Sequence, residues 1–343
     1  MEFEDYLDVT SKEIEKVLKK FLAAFRKDVN RESKVLLHLI DDLIDSFYGG
    51  KYLRGSLVKL GYEIIGSKPT QEILKPAAAY TIVHGALLIH DDIIDQSPLR
   101  RGKLSLYKKL GGNHYGISQA LVLGDLGFFL SFKLIHSADF PIKYKLSGFD
   151  SFIQILINTG LGESLGIEYP KLGIRAENDV LKIDRLKTGH YTIMGPLKLG
   201  AILGGADGKL LNSLKSFGEN LGIAFQIQDD ILGVFGSEKQ TGKSVTSDIE
   251  EGKNTLLIVY ALKNASQAQK KILEKYYGKK NISKNGLDQV RNIFRETGAL
   301  DYSRQQAVKY VERAKKIIPE LTSDPKYVKL LNQLADFLIN REY

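Results

Sequence analysis

Along this chain, long stretches in which apolar residues recur every three or four positions alternate with short polar breaks. That spacing is the period of an amphipathic helix. It predicts helices over 12–25, 36–47, 74–95, 117–135, 151–165, 179–203, 209–233 and 254–263, with further helical segments from 267 onward. Gly49-Gly50, residues 66–70, Gly111-Gly112, Pro141-Ile142, residues 169–173 and the polar stretch 236–254 supply the breaks between them. Runs that alternate apolar and polar, as a strand would, are scarce. No internal repeat or Pro/Ser-rich linker divides the chain. The expectation is an all-α protein, one helical bundle domain covering 1–343. Segments 74–95 and 209–233 are apolar nearly all round, which places them at the centre of the bundle.

Composition narrows the chemistry. With 343 residues, 43% of them hydrophobic, the chain has enough apolar material for a sizeable core. It has no cysteine, which excludes disulfides, zinc–thiolate sites and a cysteine nucleophile. The N-terminus is charged from the start and lacks the layout of a signal peptide. No apolar run approaches the ~20 residues a membrane helix needs, so the expectation is a cytoplasmic protein without an integral membrane segment. The net charge of +8 fits nucleic acid, a membrane surface or anionic small substrates. The basic residues form no dense tract and no nucleic-acid-binding signature accompanies them, so no nucleic-acid partner is expected.

Both central helices carry carboxylates where burial favours apolar side chains. In ALLIHDDIIDQSPLRRG, Asp91 and Asp95 are four apart and share a face, with Asp92 beside them. Three like charges continuing an apolar run repel one another and resist desolvation. A divalent cation removes both penalties, and oxygen ligands of this kind suit magnesium. By itself this cluster reads equally well as a solvated acidic helix end. Arg100 and Arg101, just past a turn at Ser97-Pro98, add forked donors suited to diphosphate. In GIAFQIQDDILGVFG, Asp229 and Asp230 interrupt the second apolar helix, with Gln226 on the same face. Lys243 and Lys253 flank Asp248 in the polar stretch that follows. Two such acidic helices facing each other across a central cavity would hold several magnesium ions and let a diphosphate leave as a stabilised anion.

In this order and spacing the elements resemble the trans-isoprenyl diphosphate synthase (polyprenyl synthetase) family, of the archaeal geranylgeranyl type. Residues 49–54 (GGKYLR) are similar to its GGKxxR element, and HDDIIDQSPLRRG to its first aspartate-rich motif. His84, Gly124-Asp125, Lys187-Thr188 and FQIQDDILG with the TGKSVTSDIEEGK loop follow in the family's order. Alone, Lys51 and Arg54 would be a solvated turn, His84 a core histidine and Lys187 a surface charge; their ordered co-occurrence is what favours function.

The resemblance implies an isoprenoid-synthase bundle and magnesium-dependent condensation of isopentenyl diphosphate with dimethylallyl, geranyl or farnesyl diphosphate. It implies Asp91, Asp95 and Asp229 as ligands of three magnesium ions, with Asp92 and Asp230 in support. It gives the allylic diphosphate to Arg100, Lys187, Gln226, Lys243 and Lys253. It gives isopentenyl diphosphate to Lys51, Arg54, His84 and Arg101, and places Thr188 and Gln226 against the allylic cation. Proton loss would fall to the departing diphosphate. A homodimer is expected.

Two places depart from the family pattern. Gly233 stands where many members have a third aspartate, and Glu163 and Gly166 stand where a glutamine and an acid are usual, with Glu168 a substitute for the latter. Product length is expected to follow Val83, Ala86 and Leu87, which precede the first motif on its helix, and Phe128 and Phe129 as a tunnel floor. No bulky aromatic stands at 86 or 87, so farnesyl diphosphate is disfavoured and geranylgeranyl diphosphate expected, with a farnesylgeranyl or hexaprenyl product as the alternative. A class I terpene cyclase is the rival reading. Its second metal motif would have to be Asn178-Asp179, where Lys182 and Leu186 occupy the positions of the remaining ligands.

Overall fold

The computed structural model describes residues 2–173, 175–237 and 245–339. These residues are overwhelmingly helical, as the periodicity predicts. They divide into two compact units: Met1–Ile153 with Gly195–Leu214 and Glu320–Leu330, and Gln154–Met194 with Lys215–Pro319 and Leu331–Tyr343.

In the first unit, α1 (Phe3–Glu32) and α2 (Leu37–Ser46) lead to α3 (Leu53–Glu63) and α4 (Leu74–Ile94). The helix α3 does not stand out in the sequence, because Gly55 and Gly61 lower its propensity. Those glycines are where backbones meet. A Cβ on Gly55 would lie 2.6 Å from the Ala77 carbonyl of α4, and one on Gly61 would strike Leu197 of α9 (Gly195–Leu203). Polar anchors join α1 to α3: Lys59 donates to Glu13 at 2.9 Å, and the Tyr6 hydroxyl to Glu63 at 3.0 Å. As its all-round apolarity predicts, α4 is buried on nearly every side from Leu74 to Ala86. It packs on α6 (His114–His136), where a Cβ on Gly127 would lie 2.8 Å from that of Ala86.

Other features also differ from the sequence reading. Residues 99–104 form a small hairpin, β1 (Leu99–Arg100) with β2 (Lys103–Leu104), in register Leu99↔Leu104. Arg101 and Gly102 both have positive φ, 52° and 73°, the requirement of a tight primed turn. And α6 is long and apolar enough, by length and composition, to cross a membrane, where the sequence reading found no apolar run of that length. The reason is its inner face: Ala120, Leu123, Gly124, Gly127 and Leu130 are buried, and a core helix passes the same compositional test.

The short α5 (Leu106–Lys109) precedes α6, and α7 (Ile142–Lys171) follows, running through Pro170 into the expected break. In the second unit, the segment predicted as one helix over 179–203 begins as α8 (Glu177–Ile183) and continues as a π-helix over Asp184–Met194. From Phe217 to the end of α10 (Gly208–Phe235) no residue is exposed. Ile223, Ile227 and Ile231 of this stretch pack with Leu257 and Ile258 of α12 (Leu256–Asn264), Val290 and Phe294 of α14 (Lys284–Glu296) and Leu300 of α15 (Ala299–Lys315). The short α11 (Ser247–Glu251) lies within the polar stretch read as a break, and α13 (Gln267–Tyr276), α16 (Ile318–Leu321) and α17 (Pro325–Ile339) complete the chain.

Candidate active site

In the first unit the expected residues come together around His84. The turn before α3 runs through three left-handed residues, Gly49 (φ 94°), Gly50 (φ 96°) and Tyr52 (φ 42°), with Lys51 between them. Only the glycines take this conformation without strain, and Tyr52 is held there by its surroundings. Arg101, at the hairpin tip, donates from Nη1 to the Tyr48 carbonyl at 2.8 Å, and its guanidinium lies beside both glycines. Arg54 Nη1 lies 3.3 Å from His84 Nε2. Arginine only donates, so His84 accepts there and carries its proton on Nδ1. Burial, and then the charges of Arg54, Arg101 and Arg100, hold the imidazole well below its usual range. His84 is therefore a neutral ring among three guanidinium groups.

Arg100 lies on the strand, and its fork grips the first acidic cluster. Its Nε meets Asp92 Oδ1 at 2.9 Å and its Nη2 meets Asp91 Oδ2 at 3.1 Å, with Nη2 also closing on Asp92. Asp92 is buried beneath this contact, while Asp91 and Asp95 remain partly exposed. Gly124 of the Gly-Asp pair makes room for the His90 ring, and His90 lies 3.6 Å from Asp125.

Of the chain-length residues, Val83 and Ala86 are fully buried and Leu87 is half-buried. Phe128 rests against the His90 ring at 5.5 Å between centroids. Phe129 is 63% exposed, which corrects its expected place on a tunnel floor. Gly127 faces Ala86, and two residues further on a helix is about 200° around the axis.

In the second unit, the π-helix presents Lys187 and Thr188. Lys187 Nζ meets Glu163 of α7 at 2.5 Å, which accounts for the glutamate that departs from the family pattern. The neighbouring Gly162 is required because a Cβ there would lie 2.5 Å from the Lys187 amide. The Thr188 hydroxyl donates to Gln226 Oε1 at 2.5 Å, and Gln226 Nε2 donates to Asp230 Oδ1 at 2.7 Å. Gly189 and Gly222 bring the π-helix and α10 into backbone contact. His190 fastens the same pair through Nε2, 2.8 Å from Glu219, and ties the π-helix to α7 through Nδ1, 3.1 Å from Asn158.

The acidic side of this unit is crowded. Burial, and then the charge of Asp248, push Asp230 up to about 8. Asp184, at the start of the π-helix, is also buried and pushed well up by burial and by Asp230. Its Oδ2 makes no hydrogen bond. Lys253 Nζ offsets part of this charge, at 2.7 Å from Asp248 and 3.2 Å from Glu251. Gly233 also finds its explanation here. A Cβ at 233 would collide with Asp248 Oδ2, so the glycine in α10 makes room for a carboxylate from α11. Sequence spacing shows Asp248 only as a charge between lysines; the signal for its role is the glycine fifteen residues earlier. Asp184 was not anticipated, and its neighbours Arg185 and Lys187 give it the look of an ordinary surface charge. Lys243 lies outside the described residues.

Among the described residues no three carboxylate or imidazole groups form a closed metal site. An open donor set is what magnesium favours, since it keeps waters and takes substrate phosphate oxygens. Crowded carboxylates, one of them held near 8, fit a divalent cation as the missing counter-charge.

The family model for polyprenyl synthetase matches residues 33–294. The chain belongs to this family. It is accordingly a prenyltransferase. It is 30% identical to a geranylgeranyl diphosphate synthase of Sulfolobus acidocaldarius, over 99% of this chain and 98% of that one. It is 33% identical to a geranylfarnesyl diphosphate synthase of Aeropyrum pernix, over 91% and 95%. Among solved structures, a geranylgeranyl pyrophosphate synthase of Corynebacterium glutamicum, complexed with isoprenyl diphosphate and magnesium, superposes with a TM-score of 0.92 at 25% identity, over all of both chains. The expected isoprenoid-synthase helical fold is thus the observed one.

Proposed function

We propose that this prenyltransferase condenses isopentenyl diphosphate with dimethylallyl, geranyl or farnesyl diphosphate to make geranylgeranyl diphosphate, with magnesium. The observation that carries the reading is the cationic cluster of the first unit. Arg54 and Arg101 surround a neutral His84 beside the strained Lys51 turn. This is a place for a second diphosphate, distinct from the acidic clusters, and a cyclase acting on one diphosphate has no use for it.

Lys51, Arg54, His84 and Arg101 bind and orient isopentenyl diphosphate. Arg100, Lys187, Gln226, Lys243 and Lys253 hold the allylic diphosphate. Asp91, Asp95 and Asp229 are the magnesium ligands; Asp92 supports them by fixing Arg100, and Asp230 by fixing Gln226. Magnesium, as three ions, supplies charge that stabilises the leaving diphosphate. Thr188 spends its proton on Gln226, which leaves its oxygen lone pairs for the developing allylic cation. No side-chain base is required if the departing diphosphate takes the proton.

A geranylfarnesyl or longer product is the second reading, favoured by the small Ala86 and by the Aeropyrum pernix relative. The family model runs across both units, which supports one domain over 1–343. A homodimer is supported by Tyr115, Val122 and Phe129, seven apart on α6 and all exposed. A cytoplasmic location belongs to the same proposal.

The test is a product assay with magnesium, labelled isopentenyl diphosphate and each allylic starter, sizing the dephosphorylated products. A four-unit product that is lost in Asp91→Ala and with EDTA is the expected result. A five- or six-unit product moves the reading to the longer synthase. No elongation from any starter refutes it.

A further inference from the structure

Lys253 sits in a turn that is fastened from outside every motif of the family. Gly252 before it is left-handed (φ 67°) and lies against Gly278, also left-handed (φ 76°). A Cβ on Gly252 would come within 3.0 Å of the Gly278 Cα, so the two turns stack backbone on backbone. Three hydrogen bonds bind them. The Gly278 amide donates to the Ile249 carbonyl at 2.7 Å, and the Ile282 amide to Glu250 Oε1 at 3.0 Å. The Tyr277 hydroxyl donates to the carbonyl of Lys253 itself at 2.5 Å. The Tyr277 ring is held in turn by Phe294, 6.3 Å away edge-on, and by the Arg175 guanidinium, 5.7 Å from its centroid. The Lys253 amide donates to the Asp248 carbonyl at 3.1 Å, and on the other side of the residue the carbonyl is held by one phenol, so the backbone from which the ammonium extends depends on Tyr277.

We propose that Tyr277 is a positioning residue for the allylic diphosphate. Its hydroxyl fixes the backbone of Lys253 and thereby aims the ammonium. The inference rests on the reading of Lys253 as an allylic diphosphate ligand. Tyr277→Phe removes one hydroxyl and leaves the ring, Gly278 and the rest of the turn in place.

The experiment compares Y277F, K253A, the double variant and Y302F. Tyr302 donates to Glu177 at 2.6 Å elsewhere in the same unit, so Y302F matches the loss of a phenol hydrogen bond without touching Lys253. The expected result is an allylic KM raised about 3- to 10-fold in Y277F, the scale of one such bond, with the isopentenyl diphosphate KM unchanged. Y302F leaves both constants unchanged, and Y277F adds nothing in the K253A background. A raised allylic KM in K253A with none in Y277F overturns this inference alone, as does an equal effect of Y277F with or without Lys253. An unchanged allylic KM in K253A removes the role of Lys253 itself and this inference with it.

Discussion

Asp230 holds its proton far above the pH at which an exposed aspartate loses it, and the cause is a carboxylate buried beside another. Its folded value, about 8, lies above the ordinary 3.8, so the stability it contributes is complete below the ordinary value and is lost as pH rises through about 8. The metal-free protein should therefore melt at a lower temperature at pH 9 than at pH 6, and Asp230→Asn should flatten that decline. A thermal melt series with and without magnesium checks this; an equally steep decline in the variant refutes it. The carboxylates of both motifs were legible because each breaks an apolar helical run. The partners that set their state, Asp248 across from Gly233 and Asp184 in the π-helix, were not. They come from other elements, and sequence spacing reports only neighbours on the same one.

At the scale of the element, glycines decide how closely helices approach. Gly222 of α10 meets Gly189 of the π-helix, whereas Gly166 of α7 has no atom nearer than 3.9 Å to a Cβ. Glycine inside a helix costs roughly 1 kcal/mol relative to alanine, so Gly166→Ala should raise the melting temperature. Gly222→Ala should lower it, because overpacking costs about 1–3 kcal/mol, and should weaken activity by prising Thr188 from Gln226. Melts and kcat/KM of the two variants check the pair; a stabilised G222A refutes the packing argument. The sequence reading located most helices from period alone. It passed over α3, whose glycines serve contacts, and the hairpin of Arg100, only two residues per strand. It also read α8, the π-helix and α9 as one helix, since the hydrophobic period does not register a change of hydrogen-bond spacing.

For the whole molecule, fold class and family were legible because six motifs recur in order across both units. Assembly was less so. Buried and exposed apolar residues share α6, and composition does not separate a face toward α4 from a face toward another copy. The exposed row of Tyr115, Val122 and Phe129 covers a surface that water disfavours. Val122→Asp places a charge in its middle. If the proposed homodimer forms through this row, the expected outcome in sedimentation analysis is a dimer for the parent protein and a monomer for the variant; a variant that dimerises like the parent moves the interface elsewhere.

A π-helix holds about one more residue per turn than an α-helix. In the currency of heredity, Asp184–Met194 is thus a stretch with codons to spare. A descendant that lost one of them would rotate Lys187 and Thr188 away from Glu163 and Gln226, and with them Gly189 away from Gly222. Site and packing are thus written into the same few codons, and neither can be shortened without the other.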